Sequence, residues 1–225
     1  MMSLRNLLFV AIALTVCVTT LAQRNYDDYN RIGIQGGVSF FDINTSNFVT
    51  EQQTGFGAGF TTRGSFRNNF DLIYGLTFFS NKIGILGSNV AASPFEKQFI
   101  TYTIPSVQLN FLGSYNIVKH HFSLEFGPIL NVNGNMKVDS ERLENYILDG
   151  YTTLRAQDIE DISPINFHVM GGATVGLESF RLSAQYQYGV TNMLNKLNDQ
   201  DIENSSGDEF KGNSSTIVIM AVIYF

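Results

Sequence analysis

Three histidines, a scatter of carboxylates and many serines are the residues of this chain with types suited to catalysis. A Ser–His–carboxylate relay needs its members within hydrogen-bond reach, with the base oriented by a third group. His168 and Glu125 are the candidate pair, the assignment behind a lipid- or peptide-processing enzyme. No serine lies in a recognisable nucleophile motif, and His120 and His121 fall together in a short polar turn. The expectation is therefore that the chain is not an enzyme, that Glu125 and His168 sit at different heights, and that His168 joins a polar network. Asp199-x-Asp201-x-Glu203 has the every-second-residue oxygen spacing of calcium loops. It lacks a glycine at the sixth position and an acid at the twelfth, so no metal or cofactor site is assigned.

The remaining polar residues that invite a role are Arg63, Gln108, Glu125, His168, Arg181, Gln185 and Gln187. All lie inside segments that alternate strictly between apolar and polar, the period of a β-strand. Eight such segments run along the chain. Their apolar faces read Ile32, Ile34, Val38 and Phe40 in the first; Phe56, Ala58 and Phe60 in the second; Phe70, Leu72, Tyr74, Leu76 and Phe78 in the third. Pro105, Val107, Leu109, Phe111 and Tyr115 follow in the fourth, and Phe122, Leu124, Phe126, Pro128, Leu130 and Val132 in the fifth. Phe167 to Leu177 and Phe180 to Val190 supply the sixth and seventh. Ile217, Ile219, Ala221, Ile223 and Phe225 make the last, which ends on an aromatic.

The opposite faces carry glycine, serine, glutamine and the residues named above. Apolar outside and polar inside is the polarity of a transmembrane barrel, whereas a soluble ligand-binding barrel would be inverted. The expected fold is all-β: an eight-stranded antiparallel up-and-down transmembrane β-barrel. The seven polar residues then become a lumen network, either a satisfied plug or, as an alternative function, a narrow channel for small solutes or ions. At eight strands a barrel interior is just filled by side chains, which favours the plug. Connections alternate short (67–69, 116–120, 178–179) and long (44–52, 84–97, 134–163, 193–213), the asymmetry of outer-membrane barrels. Phe66, Phe70, Tyr115, Phe122, Phe180 and Phe225 gather at the short-turn side as an aromatic girdle.

Residues 1–22 read as a signal peptide: Arg5, an apolar run from Leu7 to Val18, and the small-residue site ending at Ala22. The run is shorter than the ~20 residues of a transmembrane helix. Val16 before Cys17 does not suit a lipidated cysteine. The barrel domain is then 23–225, free of cysteine and hence of disulfides. Its charge is one unit more negative than the −6 of the whole chain, with no basic stripe, so nucleic acid is excluded as a partner. Charged residues make up only 15% of the chain and aromatics 13%, which suits extensive lipid contact. Acids concentrate in 134–163 and 193–213, which are expected to stay solvated or to meet lipopolysaccharide phosphates through divalent ions. Within the former, Glu141 to Leu148 is expected to form a short amphipathic helix, and the loop to offer a partner surface.

The strands also carry a family likeness. Thr103-Ile104-Pro105-Ser106-Val107-Gln108-Leu109, then Phe126-Gly127-Pro128-Ile129-Leu130, and finally Tyr186-Gln187-Tyr188-Gly189-Val190-Thr191-Asn192, resemble the Ile-Pro, Gly-Pro and Tyr-x-Tyr-Gly signatures of PorT-like outer-membrane β-barrels of Bacteroidetes. The resemblance implies an eight-stranded barrel in the outer membrane. Some members of that family are linked to protein secretion, and the family brings no catalytic residues. The expected function is a non-enzymatic partner-binding or accessory component of the envelope or of secretion.

Overall fold

The computed structural model describes residues 30–89, 96–204 and 209–225; the expected signal peptide lies outside them. Eight long strands form a closed antiparallel ring among the described residues. They are β1 (Asn30–Thr45), β2 (Thr50–Arg67), β3 (Phe70–Asn89), β4 (Glu96–Val118), β5 (Phe122–Asn133), β8 (Ile165–Gly176), β9 (Phe180–Gly189) and β10 (Gly212–Tyr224). Each pairs with its neighbour in the chain, and β1 pairs with β10 to close the ring. Two short strands, β6 (Lys137–Val138) and β7 (Ile147–Leu148), belong to the third long connection.

The alternation sets the faces as expected. None of the outward residues is buried and none of the inward glycines, serines, glutamines or charges is exposed. Apolar side chains thus point away from the barrel as a continuous belt, the reverse of a water-soluble protein. The aromatic girdle stands at the short-turn end, where the Phe70 and Tyr115 rings lie 5.1 Å apart. Tight turns close that end. Arg67 pairs with Phe70 around Asn68, whose φ of 52° is one that asparagine tolerates well. Val118 pairs with Phe122 around His120 and His121, with His120 at φ 61°.

Three expectations are corrected at the other end. The first connection is not a long 44–52 loop, because β1 runs to Thr45 and β2 begins at Thr50. The second is not a loop from 84 to 97 either: β3 and β4 stay paired from Ile83 opposite Tyr102 up to Asn89 opposite Glu96. This hairpin rises above the ring, where the membrane rule reverses and the apolar faces turn inward. Ile83, Ile85, Ile100, Tyr102 and Ile104 are all at most 2% exposed.

Third, Glu141 to Leu148 is not an amphipathic helix. Glu141–Leu143 makes a 3-10 turn and Ile147–Leu148 is β7. The physical reason is the tall hairpin, whose two edges outrun their neighbours. β7 joins β3 beyond the end of β2, with Leu148 opposite Gly87. β6 joins β4 beyond the end of β5, with Val138 opposite Tyr102. Exposed strand edges are satisfied by the loop's own backbone.

Candidate functional site

The lumen is filled at three heights. Nearest the short turns, Arg63 on β2 is the hub and is 1% exposed. Its Nη1 donates to Asp71 Oδ2 at 3.2 Å, to Ser114 Oγ at 3.0 Å and to Ser123 Oγ at 3.4 Å, and its Nη2 donates to Glu125 Oε1. Strand register brings these together. Asp71 lies opposite Ser114, and Ser114 opposite Glu125, so three strands present acceptors in one row toward Arg63. Tyr224 of β10 lines the same small cavity as Arg63 and Glu125, and Arg181 of β9 is fully buried. Arg63 and Arg181 balance Asp71 and Glu125 in formal charge, and Arg63 is ion-paired to both carboxylates. Such pairing is what burial of charge requires.

Asp71, Ser114 and Tyr224 were not among the assigned lumen residues. The signal was present. Each sits between two outward positions, Tyr224 between Ile223 and Phe225 for example, and therefore points inward by the same period of two.

At mid-height the predicted glutamines do meet. Gln108 Nε2 donates to Gln187 Oε1 at 3.0 Å, Gln187 to Gln185 at 3.4 Å, and Gln185 to Ser183 Oγ at 3.0 Å. Ser39, Asn81 and Ser106 form a second chain. A lumen expected to be polar nevertheless holds apolar packing: Ile73, Leu112, Ile129 and Met170 in one cluster, Phe79, Val218 and Met220 in another. Gly57 makes room for Phe79, whose ring occupies the space of a Cβ at that position. The inner face alternates with the outer one but is not uniformly hydrophilic, because close packing demands bulk as well as polarity.

Glu125 and His168 do not meet. Glu125 lies opposite Gly172, four residues along β8 from His168, or roughly 13 Å at strand rise. His168 Nε2 instead lies 3.2 Å from Ser214 Oγ, an approach that a side chain at Gly189 would block. His168 Nδ1 has no hydrogen-bond partner, so the Ser–His pair lacks an orienting carboxylate.

The top level is a cap. Phe41, Ile43 and the hairpin residues meet Phe48, Met136, Leu148, Leu154, Ile159, Leu194, Leu197 and Phe210 from the connections, all buried. Tyr146 and Tyr151 of the third loop pack against this cluster. Tyr151 stands against Phe48, and Phe48 stacks on Phe210 at 5.8 Å. Lys82–Asp139 at 2.7 Å, Lys97–Asp149 at 2.5 Å and Lys196–Asp161 at 2.6 Å lash the rim.

The Asp199, Asp201 and Glu203 carboxylates do not converge. Glu203 accepts hydrogen bonds from Thr152 and Thr153, and these hold its carboxyl well below the usual range, at about 2. Asp199 and Asp201 are exposed. Among the described residues no three His, Cys, Asp or Glu side chains are grouped to hold a metal ion.

A cavity of about 20 Å3 lies among Gln35, Arg63, Glu125, Gln185 and Tyr224, room for roughly one water. A much larger depression of about 620 Å3 lies between Phe60, Tyr74, Leu109, Phe111 and Phe167, and those side chains belong to the outward apolar belt.

No protein-family model and no curated protein matches this chain, so the PorT-like resemblance rests on its motif residues alone. Solved structures do align. Neisserial surface protein A is 14% identical, with 86% of this chain and 97% of that chain covered and a TM-score of 0.46. Ail, the attachment invasion locus protein of Yersinia pestis, is 12% identical over 87% of this chain and 99% of its own, with a TM-score of 0.44. OprG of Pseudomonas aeruginosa is 11% identical over 88% and 97%, with a TM-score of 0.46. At such scores the alignments carry no functional weight.

Proposed function

We propose that the chain is a non-conducting, non-enzymatic barrel of the PorT-like kind that resides in the outer membrane after removal of residues 1–22. It serves there as a partner-binding or accessory component of the envelope or of protein secretion. The short turns then face the periplasm and the cap faces outward. One observation carries the reading: charged, amide and apolar side chains together fill the lumen beneath a packed cap. A barrel plugged this way has its polar surface at its two ends, and those ends are where a partner would engage. The acidic outer faces of 134–163 and 193–213 are the surfaces to test, with divalent-bridged lipopolysaccharide phosphate as the lipid counterpart.

Cross-linking the tagged protein in native outer membranes, followed by mass spectrometry, tests this. Reproducible recovery of envelope-assembly or secretion components supports the reading. Recovery of the barrel alone overturns it.

The second reading, an enzyme, has one observation in its favour, the Ser214–His168 contact. It predicts a hydrolytic or acyl-transfer activity that is lost in His168→Ala. An unoriented pair buried beneath the cap is the weaker basis.

A further inference from the structure

The two long acidic loops are joined at a point that ion pairing does not explain. Glu203, in the fourth connection, reaches about fifty residues back along the chain to the turn at Thr152–Leu154. Its carboxylate accepts five donor groups. The backbone N–H of Thr152 lies 3.0 Å from both oxygens, and that of Leu154 lies 3.2 Å from Oε2. The N–H of Thr153 points to the same oxygen, and the hydroxyls of Thr152 and Thr153 close in at 2.8 and 2.7 Å. Three successive N–H groups aimed at one anion make a backbone nest. Gly150 supplies the left-handed residue just before it, at φ 89°, where a Cβ would meet nothing. Glycine is there for the turn and not for the space.

We infer that Thr152–Leu154 is a carboxylate-binding cradle with Glu203 as its built-in occupant, making the Glu203 side chain a removable strap from the fourth connection to the third. All five donors are neutral, so the cradle recognises the two oxygens of a carboxylate by hydrogen bonding and does not depend on a counter-ion.

The frame on each side has backbone and side-chain hydrogen bonds of its own. On the cradle side, β7 is paired to β3, Leu148 N–H donates to Leu154 O at 2.9 Å, and Tyr151 Oη donates to Asn47 O at 3.1 Å. On the strap side, Asn192 Nδ2 donates to Phe210 O at 2.8 Å and Phe210 N–H to Asn198 Oδ1 at 2.7 Å. Leu154 and Phe210 are both buried in the apolar cluster of the cap. The low carboxyl value of Glu203 agrees with an anion held by donors at any ordinary pH.

The test is amide hydrogen exchange of the full-length barrel in lipid, comparing the native chain with Glu203→Ala in chloride and in acetate of equal ionic strength. The amides of Thr152, Thr153 and Leu154 are the reporters. Their exchange should rise about tenfold or more in Glu203→Ala, while strand amides stay unchanged. Acetate should slow it again in the variant and leave the native chain unaffected. Thr152→Val with Thr153→Val keeps the backbone donors, removes the hydroxyls and should weaken the acetate effect. Unchanged exchange in Glu203→Ala would overturn the strap. Fast exchange that acetate does not slow would overturn the cradle. Failure of Glu203→Ala to form a heat-resistant barrel would overturn removability.

Discussion

Replacing Arg63 by methionine is the sharpest perturbation of the lumen. The guanidinium is 1% exposed and serves two carboxylates, Asp71 and Glu125, each 4% exposed, together with the hydroxyls of Ser114 and Ser123. Methionine keeps most of the volume but leaves two carboxylates in a closed space, with Arg181 the remaining cation of the layer. Removing one partner of a buried ion pair costs about 3–5 kcal/mol, whereas replacing all of its charges by neutral groups of similar shape is often nearly free. At about 4 kcal/mol the unfolding equilibrium shifts by roughly a thousandfold. Arg63→Met combined with Asp71→Asn and Glu125→Gln should return to within about 1 kcal/mol of the native protein. The chain has no tryptophan, so urea unfolding in lipid vesicles is followed by circular dichroism, with gel mobility as the second probe. A single variant within about 1 kcal/mol of native would refute the charged hub. A triple variant as unstable as the single one would show that packing, not charge, was lost.

Three other outcomes follow from the same geometry. Phe210→Ala removes a ring that is 2% exposed and stacked on Phe48, a loss of about 3–5 kcal/mol confined to the cap. Limited proteolysis should then cut within 134–163 while the barrel keeps its heat-modifiable mobility. Phe60→Arg places a charge at mid-height in the apolar belt, where Phe60 is 61% exposed, and should cost about 2–4 kcal/mol in vesicle refolding. A neutral result there would contradict the lipid-facing assignment. Glu203 has a folded pKa lowered from 4.5 to about 2, so its contribution is complete above 4.5 and is lost as pH falls through about 2. Selective carbon-13 labelling of glutamate carboxyls should show one group titrating near pH 2.

The membrane-spanning part was legible because one rule governs it. Period two with lipid outside assigned every outward residue from Ile32 to Phe225 correctly, and the same rule placed Arg63, Gln108, Glu125, His168, Arg181, Gln185 and Gln187 inside. It also implied Asp71 and Tyr224, which lie between outward neighbours. The rule says nothing about what an inward residue touches, so the separation of Arg63–Glu125 from His168–Ser214 needed the strand register. Above the belt the rule inverts without a mark in the sequence. Ile83, Ile85, Ile100, Tyr102 and Ile104 continue the period, yet their apolar faces turn toward the axis because the exterior there is water. Where the tall hairpin exposes its edges, β6 and β7 arise from segments with no strand periodicity of their own. The contact of Glu203 with Thr152 spans fifty-one residues and two loops, a distance at which spacing carries no signal.

The central claim is that this barrel is closed, and single-channel recording of the purified full-length protein in planar bilayers tests it most directly. The layered lumen predicts no discrete conductance steps from the native chain. It predicts none from Arg63→Ala either, since the amide layer, the two apolar clusters and the cap remain in place. Reproducible ion-selective steps from the native protein, or their appearance in Arg63→Ala alone, would contradict the account and make the lumen a conduit.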